Sequence, residues 1–229
     1  MQENKDHLVV YKLGYWSSML FVAAGVGYAI GMIALLAAFP IPEWNGIQDT
    51  VAGFSTAYVN FYSLCQVMAF LSAPIYVVML CCIHEITPVH KKILTRLAIC
   101  FGIIFAALSS INYFVQFTSV RINVLQGRLE GLEPFVQWNP TSALYFVNLL
   151  GWTLFLGLST LFVAQAFARD RQGNTIRWLF MLNGIVCILG AIAAVFEVLL
   201  YLAVFPLLMT VFISLASYKA GILFKRGHR

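Results

Sequence analysis

Charge is what this sequence has least of. Lys, Arg, Asp and Glu together make up 10% of the 229 residues, against 61% hydrophobic, where soluble domains carry about 25% and about 45–50%. That excludes an ordinary soluble fold, because a domain of this size cannot cover so much apolar surface. Lipid can, since a helix satisfies its own backbone and needs no water along its sides. Cysteine is sparse too. Cys65, Cys81, Cys82, Cys100 and Cys187 include no CxxC pair, and none lies in a segment placed outside the membrane. Reduced thiols acting as small apolar side chains are therefore expected rather than a disulfide framework. A GxSxG motif is missing, as are a buried Ser, His and acid set and any phosphate-binding glycine loop, so no catalytic residue is assigned and no cofactor is expected.

What is present is a series of long apolar runs. A membrane helix needs about 20 mostly apolar residues, and the pattern predicts an all-α, polytopic transmembrane bundle of about six helices forming one domain over 1–229, with spans near 16–39, 57–83, 94–118, 142–168, 178–199 and 203–224. The first run exceeds the roughly 7–15 apolar residues of a signal-peptide core and lacks a small-residue cleavage site, so it reads as a retained helix. Pro40, Pro42 and Asn45 follow the first span, Pro88 the second, Pro134 and Pro140 precede the fourth, and Gly173 precedes the fifth. The last two spans form a single run too long for one crossing, so a turn is expected around 201–206.

Orientation follows from the basic residues, which collect in short cytoplasmic loops. With the N-terminus inside, Lys5, Lys12, Lys91, Lys92, Arg96, Arg169, Arg171, Arg177, Lys219, Lys225, Arg226 and Arg229 are all inside, and only Arg121 and Arg128 are outside. Both termini are thus expected in the cytoplasm of a cell-membrane protein. The net charge of +5 is then the topology signal, and no nucleic acid is needed to explain it. The longest loop, 119–141, is outside; Leu125, Leu129 and Leu132 alternating with Gln126, Arg128, Glu130 and Glu133 predict a short amphipathic helix over 124–135, resting on headgroups or serving as a lid.

Polar side chains within the spans are costly in hydrocarbon and turn toward the bundle interior or a wet cavity. At 100° per residue, Ser109, Asn112, Tyr113 and Gln116 share one arc of the third span, and Tyr145, Asn148, Trp152 and Ser159 one face of the fourth. Asn183, Gly190, Ala194, Glu197 and Tyr201 line up on the fifth, and the second offers Asn60, Ser63 and Gln66. Asn60, Ser63, Asn112, Tyr113, Gln116, Arg121, Asn148, Trp152, Glu197 and Tyr201 fall in the outer half of the bilayer or at its edge and form the candidate ligand site. Helix-bridging amides are the competing reading. Glu197 sits among apolar neighbours; it is an interfacial carboxylate, a partner of Arg121, or a titrating group of proton-coupled transport.

Cys81, Cys82, His84, Glu85 and His90 have metal-ligand chemistry, but their spacing matches no zinc pattern, so no metal is assigned. Gly27 and Gly31 form a GxxxG pair that lets helices approach, either within the chain or between copies in a homo-oligomer. The echo between Leu13-Gly14-Tyr15-Trp16 and Leu150-Gly151-Trp152 is what an inverted transporter repeat would produce, and also what chance produces in a membrane chain.

Leu13-Gly14-Tyr15-Trp16-Ser17, Ile111-Asn112-Tyr113-Phe114-Val115-Gln116, and Asn139-Pro140 followed by Leu150-Gly151-Trp152 resemble segments of a group of uncharacterised bacterial and archaeal multi-pass membrane proteins of similar length. The resemblance implies the membrane fold and no activity. Three functions stay open: a transporter or sensor binding a small molecule or lipid at the outer polar cluster; a membrane-embedded enzyme using Glu197 or the His84/Glu85 pair on a hydrophobic substrate; and a structural or assembly subunit. The expected partners are the bilayer, a small-molecule or lipid ligand and a second copy of the chain.

Overall fold

The computed structural model describes residues 2–38, 44–52, 54–137, 139–168 and 170–227, leaving aside the side chains of 2–7, 199–200 and 202–203. Phe39, Pro40, Pro42, Arg169 and Arg229, on which parts of the sequence reading rest, lie outside these residues, as does the side chain of Lys5. Among the described residues there is no strand, and six helices are long and apolar enough to cross a bilayer. The chain is a multi-pass integral membrane protein.

The spans are built from α1 (Gln2–Ala38), α3 (Thr56–Ile86), α4 (Lys92–Val115) with α5 (Arg121–Leu125), α6 (Ala143–Leu150) with α7 (Leu156–Ala164), α8 (Arg171–Val195) and α9 (Leu199–Gly227); α2 (Ile47–Ala52) lies in the first loop. Three of these starts, those of α3, α6 and α8, are set by side-chain caps, which satisfy orphan amides at a helix N-terminus. The Ser55 hydroxyl accepts from the Tyr58 amide at 3.1 Å, Ser142 from Tyr145 at 3.3 Å, and the Asp170 carboxylate from Gly173 at 2.7 Å. Two spans carry a π-helical turn: Gln116–Val120 joins α4 to α5, and Gly151–Phe155 joins α6 to α7.

Each span packs on its neighbours in sequence and the ring closes: α1 on α3, α3 on α4, α4 on α7, α7 on α8, α8 on α9, and α9 back on α1. The six crossings bring both ends of the described chain to one end of the bundle, where Tyr11 and Phe224 lie edge to face at 6.2 Å. That end is called proximal and the other distal. The close helix approaches use glycines. A Cβ at Gly184 would fall 2.5 Å from Leu161 Cγ and 2.9 Å from the Gly157 carbonyl, so α8 seats against α7 with no room for a side chain.

Two apolar cores result. The larger fills the middle and proximal part of the bundle around Tyr76, Phe105, Leu156, Phe180 and Ala216. The smaller caps the distal end, where Leu35, Ile47, Tyr58, Val124, Leu132 and Val136 bring α2, α5 and the following loop onto α1 and α3. Large aliphatic and aromatic side chains on the outer faces, including Trp16, Ile30, Ile33, Ile103 and Leu207, are exposed, as lipid contact requires.

The structure corrects two expectations. The turn between the last spans is at 196–198, not 201–206: α8 ends in a left-handed residue, Glu197 at φ 54°, with the Val198 amide donating back to the Ala193 carbonyl at 2.9 Å. Pro206 lies inside α9. Residues 124–135 do not form one amphipathic helix. Glycines at positive φ, Gly127 (67°) and Gly131 (70°), break the segment, and Leu132 is buried in the distal core.

Candidate functional site

Inside the distal half of the ring lies a cavity of about 150 Å³. Tyr28 lines it from α1, Ser72 from α3, Tyr113 from α4, Tyr145, Asn148 and Trp152 from the fourth span, and Phe205, Pro206, Met209 and Thr210 from α9; Gln137 of the distal loop completes the roof. Among the described residues the lining contains no Asp, Glu, Lys, Arg or His.

Beneath the cavity runs a chain of aromatic rings whose two ends, Phe21 and Trp152, belong to the lining. Phe21 and Tyr76 are 5.4 Å apart between centroids, Tyr76 and Phe105 5.8 Å, and Phe105 and Trp152 4.7 Å. Tyr76 is fixed by a hydroxyl relay. Ser159 donates to the Ala98 carbonyl at 2.8 Å, so its oxygen receives the Tyr76 proton at 3.0 Å. Below this layer the packed core seals the bundle toward its proximal end.

Two polar atoms of the wall make no hydrogen bond of normal geometry among the described residues. Asn148 is 5% exposed, and its Oδ1 has no hydrogen-bond partner among the described residues; the same is true of the buried Trp152 Nε1. The Tyr113 hydroxyl faces Asn148, Trp152 and Tyr28. Behind the wall, Asn112 is 0% exposed, and among the described residues neither of its amide atoms nor Ser109 Oγ has a hydrogen-bond partner. A Cβ at Gly151 would lie 3.3 Å from Leu108 and 3.6 Å from Ser109 Oγ. In this antiparallel register, Asn112, one turn on from Ser109, comes level with Asn148. Buried polar groups in native proteins are nearly always paired, so a concentration of exceptions asks for a partner. Trp152 also sits within the π turn of the fourth span, a distortion common at functional sites.

The ten residues singled out from the sequence do not form one cluster. Tyr113, Asn148 and Trp152 line the cavity; Asn112 stands behind it. Asn60, Ser63, Gln116 and Arg121 belong to the seam beneath the distal loop. There the Arg121 guanidinium donates twice to Asn60 Oδ1, at 3.0 and 2.8 Å, and Ser63 bonds its own helix at the Val59 carbonyl, 2.8 Å. Gln116 donates to the Phe135 carbonyl and accepts from the Gln137 amide at 3.3 Å. Gln66 Nε2 donates to Gln137 Oε1, also at 3.3 Å. These groups hold the loop down. Glu197 is exposed in the turn after α8, and Tyr201 donates to the Val186 carbonyl at 2.7 Å.

The candidate ligand site read from the sequence omitted Tyr28, Ser72, Tyr145, Gln137 and the α9 residues. Tyr145 shares a helical face with Asn148 and Trp152 and was within reach of the pattern. Pro206 was read as a turn, which hid the α9 wall, and the seating of Gln137 depends on a loop with no periodicity.

The proximal His84 Nδ1 lies 2.6 Å from Thr95 Oγ1, which itself donates to the Lys92 carbonyl at 3.0 Å, so the ring nitrogen is the donor of that pair. Among the described residues no three His, Cys, Asp or Glu gather as a metal site would, and all five thiols are free. No family model, curated protein or solved structure matches the chain.

Proposed function

We propose that this protein binds a small uncharged molecule, or the uncharged head of a lipid, in the distal cavity, as a membrane sensor or transporter. The observation that carries the reading is a pair of buried polar atoms on the cavity wall, Asn148 Oδ1 and Trp152 Nε1, which face the Tyr113 hydroxyl side of the cavity and make no hydrogen bond of normal geometry among the described residues. They offer one acceptor and one donor in a mostly aromatic and aliphatic surface that also carries the hydroxyls of Ser72, Thr210 and Ser214 and the Gln137 amide. Pockets of this kind take orientation from a few placed polar groups and affinity from apolar burial. An alcohol or a carbonyl fits; an ion does not, since the lining would desolvate a charge without pairing it. The closed aromatic floor favours a bound state over an open conduit, and thus a sensor over a transporter in this conformation. With the basic residues in the cytoplasm, both termini are inside and the cavity lies at the depth of the outer leaflet of the cell membrane. The resemblance to bacterial and archaeal multi-pass proteins belongs to this reading and adds no activity to it.

Benzyl alcohol tests it, with benzoate and benzylammonium as charged counterparts. Saturable quenching or shift of tryptophan fluorescence with the alcohol alone, lost in Asn148→Leu, supports the proposal. Equal, non-saturable responses to all three probes, unchanged in that variant, overturn it.

A second reading applies to the distal seam. The Arg121–Asn60 bonds and the Gln66, Gln137, Gln116 chain join the loop to α3 and α4, which favours structural bridging for those residues over a ligand site.

A further inference from the structure

We infer that the ligand is a single aromatic ring bearing one uncharged hydroxyl or carbonyl group, of the benzyl alcohol or phenol class, in preference to an aliphatic alcohol or a lipid head. The inference rests on the reading of the cavity as a ligand site and adds the class of ligand.

The apolar part of the lining is mostly rings. Phe21 and Tyr28 of α1, Tyr113 of α4, Tyr145 and Trp152 of the fourth span and Phe205 of α9 stand around a volume of about 150 Å³. A cavity of that size admits a group the size of benzene. Aromatic pairs gain edge-to-face and offset-stacked contacts beyond the area they bury, because a ring has a negative face and a positive edge. A saturated ring of similar outline buries comparable area and forgoes those contacts.

The rings are held by their neighbours. Phe21 and Trp152 are tied through Tyr76 and Phe105, and Tyr76 is fixed by its bond to Ser159 at 3.0 Å. Phe205 stacks on Tyr201 at 6.5 Å, whose hydroxyl donates to the Val186 carbonyl, and a Cβ at Gly190 would lie 3.1 Å from the Phe205 ring. Tyr28 lies edge to face with Tyr113 at 6.4 Å. A wall set in this way binds a ring with little cost for ordering side chains.

The polar part of the lining suits one functional group. The Ser72 and Thr210 hydroxyls donate to carbonyls of their own helices, Ala69 at 2.7 Å and Pro206 at 2.8 Å, and Gln137 Oε1 accepts from Gln66 at 3.3 Å. Ser214 lies where α9 meets α1, its Oγ 3.8 Å from a Cβ at Gly25. Asn148 Oδ1 and Trp152 Nε1 remain, beside the Tyr113 hydroxyl. A ring with one hydroxyl or carbonyl sets that group at this corner and turns its other edges to the aromatic wall and to Met209, whose thioether also favours aromatic contact.

The test uses 4-fluorobenzyl alcohol as a reporter, its fluorine NMR line broadening when it binds the protein in detergent micelles. Benzyl alcohol and cyclohexylmethanol are compared as competitors at matched micellar concentrations. Displacement by benzyl alcohol at a concentration about fivefold or more below that of cyclohexylmethanol, the low end for two ring pairs, supports the inference. Tyr145→Leu lowers that ratio by about twofold or more and Tyr145→Phe retains it, whereas Asn148→Leu weakens both alcohols alike, because it removes the polar anchor and leaves the rings. Equal displacement by the two alcohols, a ratio unmoved in Tyr145→Leu, or displacement by hexadecanol as effective as by benzyl alcohol overturns the inference and leaves the cavity reading standing. No saturable broadening, or broadening unchanged in Asn148→Leu, overturns both.

Discussion

Asn112 and Gln116 lie one turn apart on the same buried face of the third span, yet replacing each by Leu should move stability in opposite directions. Gln116 holds the distal loop through two bonds, to the Phe135 carbonyl and from the Gln137 amide. Leu at this position removes both and leaves the two backbone groups unpaired. Hydrogen bonds in membrane bundles are worth roughly 0.6–1.7 kcal/mol each, so about 2 kcal/mol is lost, which lowers the unfolding midpoint by roughly 4–8 °C in a chain of this size. Asn112 has no partner for either amide atom among the described residues. Leu has the same branching at its γ carbon and removes an unpaired buried amide whose cost is about 1–3 kcal/mol. Even the low end of that range raises the midpoint by roughly 2–4 °C. The assay is thermal unfolding in one detergent at one scan rate, with binding of benzyl alcohol measured alongside; Asn112→Leu retains binding, because Asn112 stands behind the cavity wall. Equal destabilisation by both changes would refute the argument, since it would require Asn112 to be paired.

Three further outcomes follow from the packing. Gly184→Ala forces a methyl against Leu161 and the Gly157 carbonyl and should cost about 1–3 kcal/mol, read as a lower midpoint, whereas an unchanged midpoint would mean that α7 and α8 are not in close contact. Glu197→Gly relieves a left-handed backbone at φ 54° and should stabilise by about 1 kcal/mol; destabilisation would instead reveal a contact made by the carboxylate. A Cβ at Gly31 falls 2.6 Å from Cys65 Sγ, while Gly27 meets nothing within 4 Å. Gly31→Leu should therefore destabilise the monomer and Gly27→Leu should not, and a drop in subunit number with Gly27→Leu would assign that face to a contact between copies.

The fold was legible because lipid imposes a one-dimensional constraint: a span must be long and apolar, and composition alone reveals it. The seats of the polar side chains were half legible. Periodicity placed Ser109, Asn112, Tyr113 and Gln116 on one buried face, and burial is where they are. What periodicity lacks is the angular relation between helices and the path of loops. Residues at similar depth were therefore read as one pocket, while a loop descending between them divides Gln116 from Tyr113 and leaves Arg121 bonded to Asn60. The α8–α9 turn was misplaced for a similar reason. Pro206 is a strong turn signal, but proline is tolerated inside a membrane helix where neighbouring groups or water re-satisfy the freed carbonyl, and the real stop is Glu197 in a left-handed cap that no glycine announces.

The account turns on whether Asn148 and Trp152 hold something. Native mass spectrometry of the protein purified in a mild detergent, with the bound species released and identified by tandem dissociation, asks this directly. The account predicts one uncharged, hydroxyl- or carbonyl-bearing lipophilic molecule per chain, lost in Asn148→Leu and in Trp152→Phe and retained in Gln116→Leu at a temperature where that variant is folded. An anionic or cationic ligand, or an uncharged one retained in both wall variants, would contradict it.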